Sequence, residues 1–307
     1  RLAVSRHQQP REFCLRQLQL LAAQLEDPLA RHVAAASGFI YGSRRCRAVF
    51  FRLGRLLGPV YAVYQKRLVR NLRKGPLPHH LAVIMDGNRR FAEQLGLAPH
   101  EGHLRGQGKL EEMMGWCQEM GIRVLTVYAF STENLDRPKE ELGMLMDLFT
   151  DAFRQVGDDP RIHGNRVRIC ALGHRELLPE RVRDAIAYAE ERTAHYEDYR
   201  YNIAVAYGGR QEIIQAMRQL ARKVQDGELA PDDIDTAQVT QHLYTGDLPD
   251  PDLILRTSGE ERVSNFLLWQ LAYSEFYFAD VYWPALRKVD FLRAIRAYQQ
   301  RQRRRGC

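Results

Sequence analysis

A chain of 307 residues, 45% hydrophobic and 27% charged, has material for one large or two ordinary globular domains and a sizeable core. No apolar run approaches the roughly 18 residues that cross a bilayer, and nothing in the sequence resembles a cleaved signal peptide. The net charge of +7 is concentrated in one segment: no acid lies between Asp27 and Asp86, where 11 bases fall, and taking those from the 45 Lys and Arg leaves 34 against 38 acids, a net of −4 for the rest.

Residues 1–43 have helical stretches (Phe13, Leu15, Leu18, Leu20, Leu21, Leu25) but no recognisable chemistry. Residues 44–74 alternate bases with apolar residues. Leu53, Leu57, Val60, Tyr64 and Leu68 recur on one helical face, which Gly58-Pro59 interrupts. A basic amphipathic helix of this kind reads as peripheral contact with an anionic membrane surface. The same pattern also suits a helix packed on the body with a solvated basic face. Nucleic acid ranks low, since no binding module is present. Lys74-Gly75-Pro76-Leu77-Pro78 closes the segment, so the expected division is an extension over 1–74 and a catalytic domain over 75–307. Five scattered cysteines, with no CxxC pair, argue for a reducing, cytoplasmic setting and against a disulfide frame or structural zinc site.

From Pro78 onward strand and helix patterns alternate. Strands are expected at Leu81–Met85, Arg123–Phe130, Val167–Leu172, Arg200–Ala206, Leu253–Leu255 and Phe276–Phe278. Helices are expected near Glu101–Met120, Lys139–Val156, Leu178–His195, Gln211–Val224 and Asp290–Arg303. Repeated βα units imply an α/β fold with a largely parallel central sheet flanked by helices.

In such sheets ligands sit outside the carboxyl ends of the strands. The first strand ends in Asp86-Gly87-Asn88-Arg89-Arg90-Phe91 and the second in Phe130-Ser131-Thr132-Glu133-Asn134-Leu135-Asp136-Arg137. The fourth ends in Tyr207-Gly208-Gly209-Arg210, and the fifth in Arg256-Thr257-Ser258-Gly259-Glu260-Glu261-Arg262-Val263-Ser264-Asn265. Any one of these is equally a turn with a solvated ion pair. Four together around an aspartate suggest a site for two polyanions and a divalent metal. GxxxxGK[ST], GxGxxG after a strand, GxSxG, HExxH and DDxxD are all missing, which excludes the enzyme classes those motifs carry.

With these residues in view, the chain resembles the cis-prenyltransferase family of undecaprenyl and dehydrodolichyl diphosphate synthases. The blocks are HxAxIMDGNxR, YAFSxENxxRP, YGGR, DLxxRTxGExRxSNFLLWQxxYxEFYF and VxWP, in collinear order from Pro78 to Gly306. The resemblance implies sequential cis-condensation of isopentenyl diphosphate onto an allylic diphosphate, farnesyl or geranylgeranyl, yielding a polyprenyl diphosphate that serves as precursor of a glycan lipid carrier.

Residue by residue, it implies that Asp86 is the essential acid beside Mg²⁺ and that Glu275 lies near the same metal. Gly87, Asn88 and Arg90, with Arg89 and Phe91, match the allylic phosphate loop. Ser131, Asn134 and Arg137, with Phe130, Thr132 and Glu133, match a second loop that positions isopentenyl diphosphate and assists proton loss. His103 is a further substrate contact. Arg256, Arg262 and Ser264 match the isopentenyl diphosphate clamp. Arg304 and Gly306 match a C-terminal motif that reaches a partner's site, which implies a homodimer. A non-catalytic subunit of a heteromeric enzyme is the alternative; such subunits lose the Asp-Gly-Asn loop.

Arg89, Phe91 and Ser258 depart from the bacterial pattern toward the archaeal and eukaryotic branch. Leu135 replaces a common tryptophan, and Pro99 stands where many members place a phosphate-binding arginine. The helix carrying Leu142, Met144, Leu145, Met146, Leu148 and Phe149 is expected to wall an apolar product tunnel.

Overall fold

The computed structural model describes residues 63–301. The chain divides between Leu68 and Val69 into two units, and the second carries the sheet and the cleft. A helix over 63–72, here α1, leads into it, with Val69 and Leu72 buried. The Gln299 amide donates to the carbonyls of Leu72 at 2.7 Å and Pro76 at 2.9 Å, which fixes where the chain enters the body. The expected helical face at Leu53, Leu57 and Val60 lies outside the described residues, as do Arg304 and Gly306.

Six parallel strands form the sheet in the order β3-β4-β2-β1-β5-β6. They are β1 His80–Ile84, β2 Val124–Ser131, β3 Val167–Leu172, β4 Tyr199–Tyr207, β5 Leu253–Arg256 and β6 Glu275–Phe278. β1 is a continuous apolar run because both its faces are covered, and all five of its residues are buried. The chain builds outward from β1 through β2, then returns to place β5 on the other side of β1. That reversal opens a crevice at the carboxyl end of β1.

The helices are α2 Asn88–Gln94, α3 Pro99–Met120, α4 Lys139–Asp158, α5 Pro160–Gly164, α6 Glu180–Thr193, α7 Gly209–Gln225, α8 Thr236–Gln241 and α9 Lys288–Gln300. α3 starts on a proline at its first position and stops at Gly121, which takes φ 76. The last helix begins at Lys288 and stops at Gln300, and Asp290 accepts the Arg287 N–H at 3.2 Å to cap its first turn. Three short helices give no periodic signal: α2 has seven residues, α5 five and α8 six. Asp159 and Asp235 cap α5 and α8 through backbone N–H groups.

One buried polar group pins the register of the central strands. His80 Nε2 meets Thr126 Oγ1 at 2.8 Å, and Asn202 Nδ2 donates to the same oxygen at 3.0 Å, joining β1, β2 and β4. The Pro249 carbonyl, 2.7 Å from His80 Nδ1, can only accept, so the proton resides on Nδ1 and Nε2 accepts from the threonine hydroxyl. Burial drives the imidazole pKa down to about 4, so this histidine is neutral.

Candidate active site

Asp86 stands two residues beyond the end of β1, at the reversal of strand order. Its backbone is clamped. The Thr257 hydroxyl donates to the Asp86 carbonyl at 2.7 Å and accepts the Asp86 N–H at 2.9 Å, and the Trp283 N–H reaches the same carbonyl at 3.0 Å. Gly87 follows with φ 102, and a Cβ there would lie 2.5 Å from the Tyr282 ring, so both backbone and space demand glycine.

The carboxylate bridges two guanidinium groups. Oδ1 accepts from Arg90 at 3.1 Å and Oδ2 from Arg256 at 2.8 Å. Arg90, one turn along, also donates to Glu260 at 3.0 Å and Ser258 at 2.9 Å. Arg256 ends β5 with its side chain only 3% exposed, and donates to the Ser264 hydroxyl at 2.8 Å and to the Arg262 carbonyl. Arg262 pairs with Glu260. Burial works to raise the Asp86 pKa, but the hydrogen bond and charge of Arg256, then the charge of Arg90, together hold it below the ordinary carboxylate range. The acid is therefore ionised at neutral pH.

The facing wall comes from the end of β2. The Ser131 N–H donates to Asn134 Oδ1 at 3.1 Å, which fixes the short turn over Thr132–Asp136. Arg137 pairs with Glu141 at 2.9 Å, and Arg89 reaches the same acid at 3.8 Å. His103 projects from α3 with its Nε2 buried and without a partner. Burial, then the charges of Arg137 and Arg89, lower its pKa to about 4, so it presents a neutral imidazole.

These walls enclose a cleft of about 850 Å³. Fourteen expected residues line it: Asp86, Gly87, Asn88, Arg89, Arg90, His103, Phe130, Ser131, Glu133, Asn134, Arg137, Arg256, Arg262 and Ser264. A second cavity of about 260 Å³ lies between α3, α4 and the sheet, lined chiefly by Leu110, Met114, Leu145, Leu148, Phe149 and Phe153. Met85, Asn88, His103, Ala129 and Leu145 line both spaces. A charged cleft adjoining an apolar cavity has the two chemistries that an anionic head and a hydrocarbon tail require.

Three expected contacts fall elsewhere. Phe91 does not line the cleft and lies beneath Arg105, whose guanidinium carbon is 5.8 Å from the ring centre. Thr132 has a buried Oγ1 without a partner but does not line the cleft. Glu275 begins β6 and pairs with Arg301 at 2.9 Å. Register puts Glu275 level with Leu253, at the amino edge of the sheet, on the order of 15 Å along the strands from Asp86, so one chain does not bring these two acids to one metal. The residues expected to wall a tunnel fall on different faces of α4. Leu145, Leu148 and Phe149 face the cavity, whereas Met146 is buried on another face, Leu142 does not line it, and Met144 is 48% exposed. The helical repeat of 3.6 residues cannot place six near-consecutive side chains on one face.

Among the described residues no cluster of His, Cys, Asp and Glu could hold a metal by itself. The donors at Asp86 are still suited to Mg²⁺, a hard cation that takes one or two carboxylates and completes its shell with phosphate oxygens and water. Beside it, the buried Oδ1 of Asn88 has no partner.

Several parts of this site do not show in the sequence alone. Thr257, Glu260 and Asn265 lie in a recognisable motif, yet their partners are remote in sequence or pass through side chains. Gly102 and Gly106 let α3 approach: a Cβ on Gly102 would lie 2.2 Å from the Asn88 carbonyl, and one on Gly106 2.4 Å from Asn88 Oδ1. Their i, i+4 spacing on a helix is the signal that could have found them, since it puts two small residues on one face.

Fold and cleft together define an α/β protein whose arginine-lined site at the strand ends suits polyanions. The family model of undecaprenyl diphosphate synthase matches residues 84–306. A protein from Methanopyrus kandleri, named tritrans,polycis-undecaprenyl-diphosphate synthase (geranylgeranyl-diphosphate specific), is 55% identical over 250 residues, 81% of this chain and 92% of the relative. A protein of the same name from Methanocaldococcus jannaschii is 54% identical over 249 residues, 80% and 89% respectively. Among solved structures, lavandulyl diphosphate synthase from Lavandula x intermedia, in complex with dimethylallyl diphosphate, superposes with a TM-score of 0.71 at 38% identity, over 75% of this chain and 99% of that one. A probable undecaprenyl diphosphate synthase from Campylobacter jejuni gives 0.61 at 36% identity, over 76% and 99%. The chain belongs to the undecaprenyl diphosphate synthase family of cis-prenyltransferases, and it is a transferase.

Proposed function

We propose that this protein builds a polyprenyl diphosphate by repeated cis-condensation of isopentenyl diphosphate onto an allylic diphosphate, with geranylgeranyl diphosphate as primer. The observation that carries this is the adjacency of the arginine-walled cleft at Asp86 and the apolar cavity under α3 and α4, which share five lining residues. The relatives named as geranylgeranyl-specific support that choice of primer. The persistence of Asp86, Asn88 and Arg90 in one cleft argues against a purely supporting subunit.

In each cycle the allylic C–O bond breaks and its electron pair leaves with diphosphate. The double bond of isopentenyl diphosphate then supplies the electrons of the new C–C bond, and a proton departs. Arg90 neutralises charge growing on the leaving diphosphate. Arg137, Arg256, Arg262 and Ser264 hold the second diphosphate so that the two reacting carbons meet. Asn134 and Ser131, linked at the end of β2, orient the isopentenyl unit so that its proton passes to an oxygen of the departing diphosphate. The apolar cavity receives the growing chain and excludes water from the allylic cation. Mg²⁺, held by Asp86 and the substrate phosphates, would act as a Lewis acid toward the departing diphosphate.

The product suits a glycan lipid carrier, whether of undecaprenyl or dolichol type. Its insolubility gives the basic segment 44–74 a reason to rest on a membrane from the cytoplasmic side. No helix among the described residues is long and apolar enough to cross one. The C-terminal Arg304 and Gly306 would complete a neighbouring copy's site in a homodimer.

Radiolabelled isopentenyl diphosphate, offered with farnesyl or geranylgeranyl diphosphate and Mg²⁺, tests the reading. Butanol-extractable product is expected with the geranylgeranyl primer. No extractable product with either primer overturns it.

A further inference from the structure

Five of the guanidinium groups in the cleft are already matched by acids: Arg89 and Arg137 by Glu141, Arg90 and Arg256 by Asp86, and Arg262 by Glu260. Arg210 differs. It lines the same cleft, is exposed, and among the described residues its side chain has no acid or hydrogen-bond partner. An uncommitted cation in a cleft built for polyanions can bind an incoming anion without first giving up an ion pair.

The backbone beneath it is tightly held. The Arg210 N–H donates to Asn265 Oδ1 at 2.9 Å, and the Gly209 N–H donates to the Asn265 carbonyl at 2.7 Å. Asn265 Nδ2 in turn donates to Glu133 at 2.9 Å and Gln211 at 3.1 Å. One side chain thus joins the start of α7, the turn after β2, and the loop that carries Arg262 and Ser264. Asn265 has φ 63, a region asparagine tolerates better than most residues. The two glycines before Arg210 make the seating possible. A Cβ on Gly208 would lie 2.8 Å from Asn265 Nδ2, and one on Gly209 2.8 Å from Leu268 Cγ and 3.1 Å from the Asn265 carbonyl.

We propose that Arg210 is a binding residue for the diphosphate of isopentenyl diphosphate, and that Asn265 is the positioning residue that sets it beside the Arg262–Ser264 loop. This rests on the prenyl-transfer reading above. Asn265 ties Arg210 to the loop of Arg262 and Ser264, the residues read above as holding the second diphosphate, so the free guanidinium serves that anion rather than the leaving group.

Initial rates of the full chain, with isopentenyl diphosphate varied at saturating allylic diphosphate, test the proposal. Arg210→Gln is expected to raise the KM for isopentenyl diphosphate roughly tenfold, as for loss of one charge-assisted contact, and to move KM far more than kcat. Arg210→Lys recovers part of the loss. Asn265→Gly keeps the left-handed backbone but deletes the amide, and raises the same KM. In the double variant the two effects fail to multiply, because both act through the placement of one guanidinium. Arg218→Gln, exposed on the same helix, leaves both KM values where they were. An unchanged isopentenyl KM in Arg210→Gln, or fully multiplicative effects in the double variant, overturns the proposal while wild-type turnover leaves the prenyl-transfer reading standing. A wild-type chain that turns over no allylic diphosphate overturns both.

Discussion

Arg256 holds the Asp86 carboxylate at 2.8 Å, across 170 positions of sequence, while Thr257 beside it clasps the backbone of the same aspartate through both its N–H and its carbonyl. The end of β5 therefore sets the acid at the end of β1. This pairing keeps the carboxylate ionised. It also leaves Arg256, almost wholly buried, dependent on that carboxylate for its charge balance.

Asp86→Asn is expected to lower kcat by several orders of magnitude, since the variant lacks the charge that would hold a divalent cation. It should also cost about 1–3 kcal/mol of stability, because a buried guanidinium loses its counter-ion. Steady-state rates and urea denaturation read the two effects separately. Full turnover in the variant would remove Asp86 from the chemistry.

The pH dependence of folding has a definite sign at His80. Its pKa is about 4 in the folded chain, below the ordinary histidine value near 6.5, so the unfolded chain binds more protons between these values. The stability from the neutral imidazole is complete above the ordinary value and is lost as pH falls toward 4. Between about pH 7 and about pH 5, His80 should account for about 2 kcal/mol of lost stability. Denaturation of His80→Gln at the two pH values should show a correspondingly flatter dependence. His103, displaced in the same direction, adds to the wild-type slope.

Gly102→Ala should destabilise the protein by about 2–3 kcal/mol, because the new methyl meets a backbone carbonyl that cannot swing aside. Gly106→Ala meets a side-chain oxygen instead, and the Asn88 amide can rotate. Its stability loss should be smaller, with the damage shifted to the KM for the allylic diphosphate. Thermal melts together with initial rates distinguish the two variants.

Ala152 lies along the apolar cavity. Ala152→Phe takes up space the growing chain would occupy, so the principal product should be shorter, with the first condensation little affected. Chromatography of dephosphorylated products checks this. An unchanged product distribution would mean the chain grows elsewhere.

Residues 1–62 provide a cleaner membrane test than a cut at 74, since Val69 and Leu72 are part of the core and Gln299 is bonded to Leu72. Removing 1–62 should weaken binding to anionic liposomes and leave condensation of short primers intact. Equal liposome binding by the shortened chain would favour a segment packed on protein.

Much of this molecule is legible in residue order. Apolar runs such as Leu81–Ile84 report burial on both faces, as strands inside a parallel sheet have, so strands and fold class follow from the pattern. The acids and arginines at the strand ends are equally visible, because a parallel sheet sends all its carboxyl ends to one side. Side-chain direction and distant pairing are not visible. Phe91 and Glu275 share motifs with cleft residues, yet helix rotation turns one aside and strand register puts the other at the far edge. Thr257, Gly102 and Asn265 act on partners that only chain folding brings within reach, and local spacing holds no record of such contacts. Residue order alone sets what chemistry the strand ends can offer. Folding selects which of those groups face one another, because hydrogen bonds and close packing act over a few ångströms, whereas many of the residues they join, Asp86 and Arg256 among them, stand far apart in sequence.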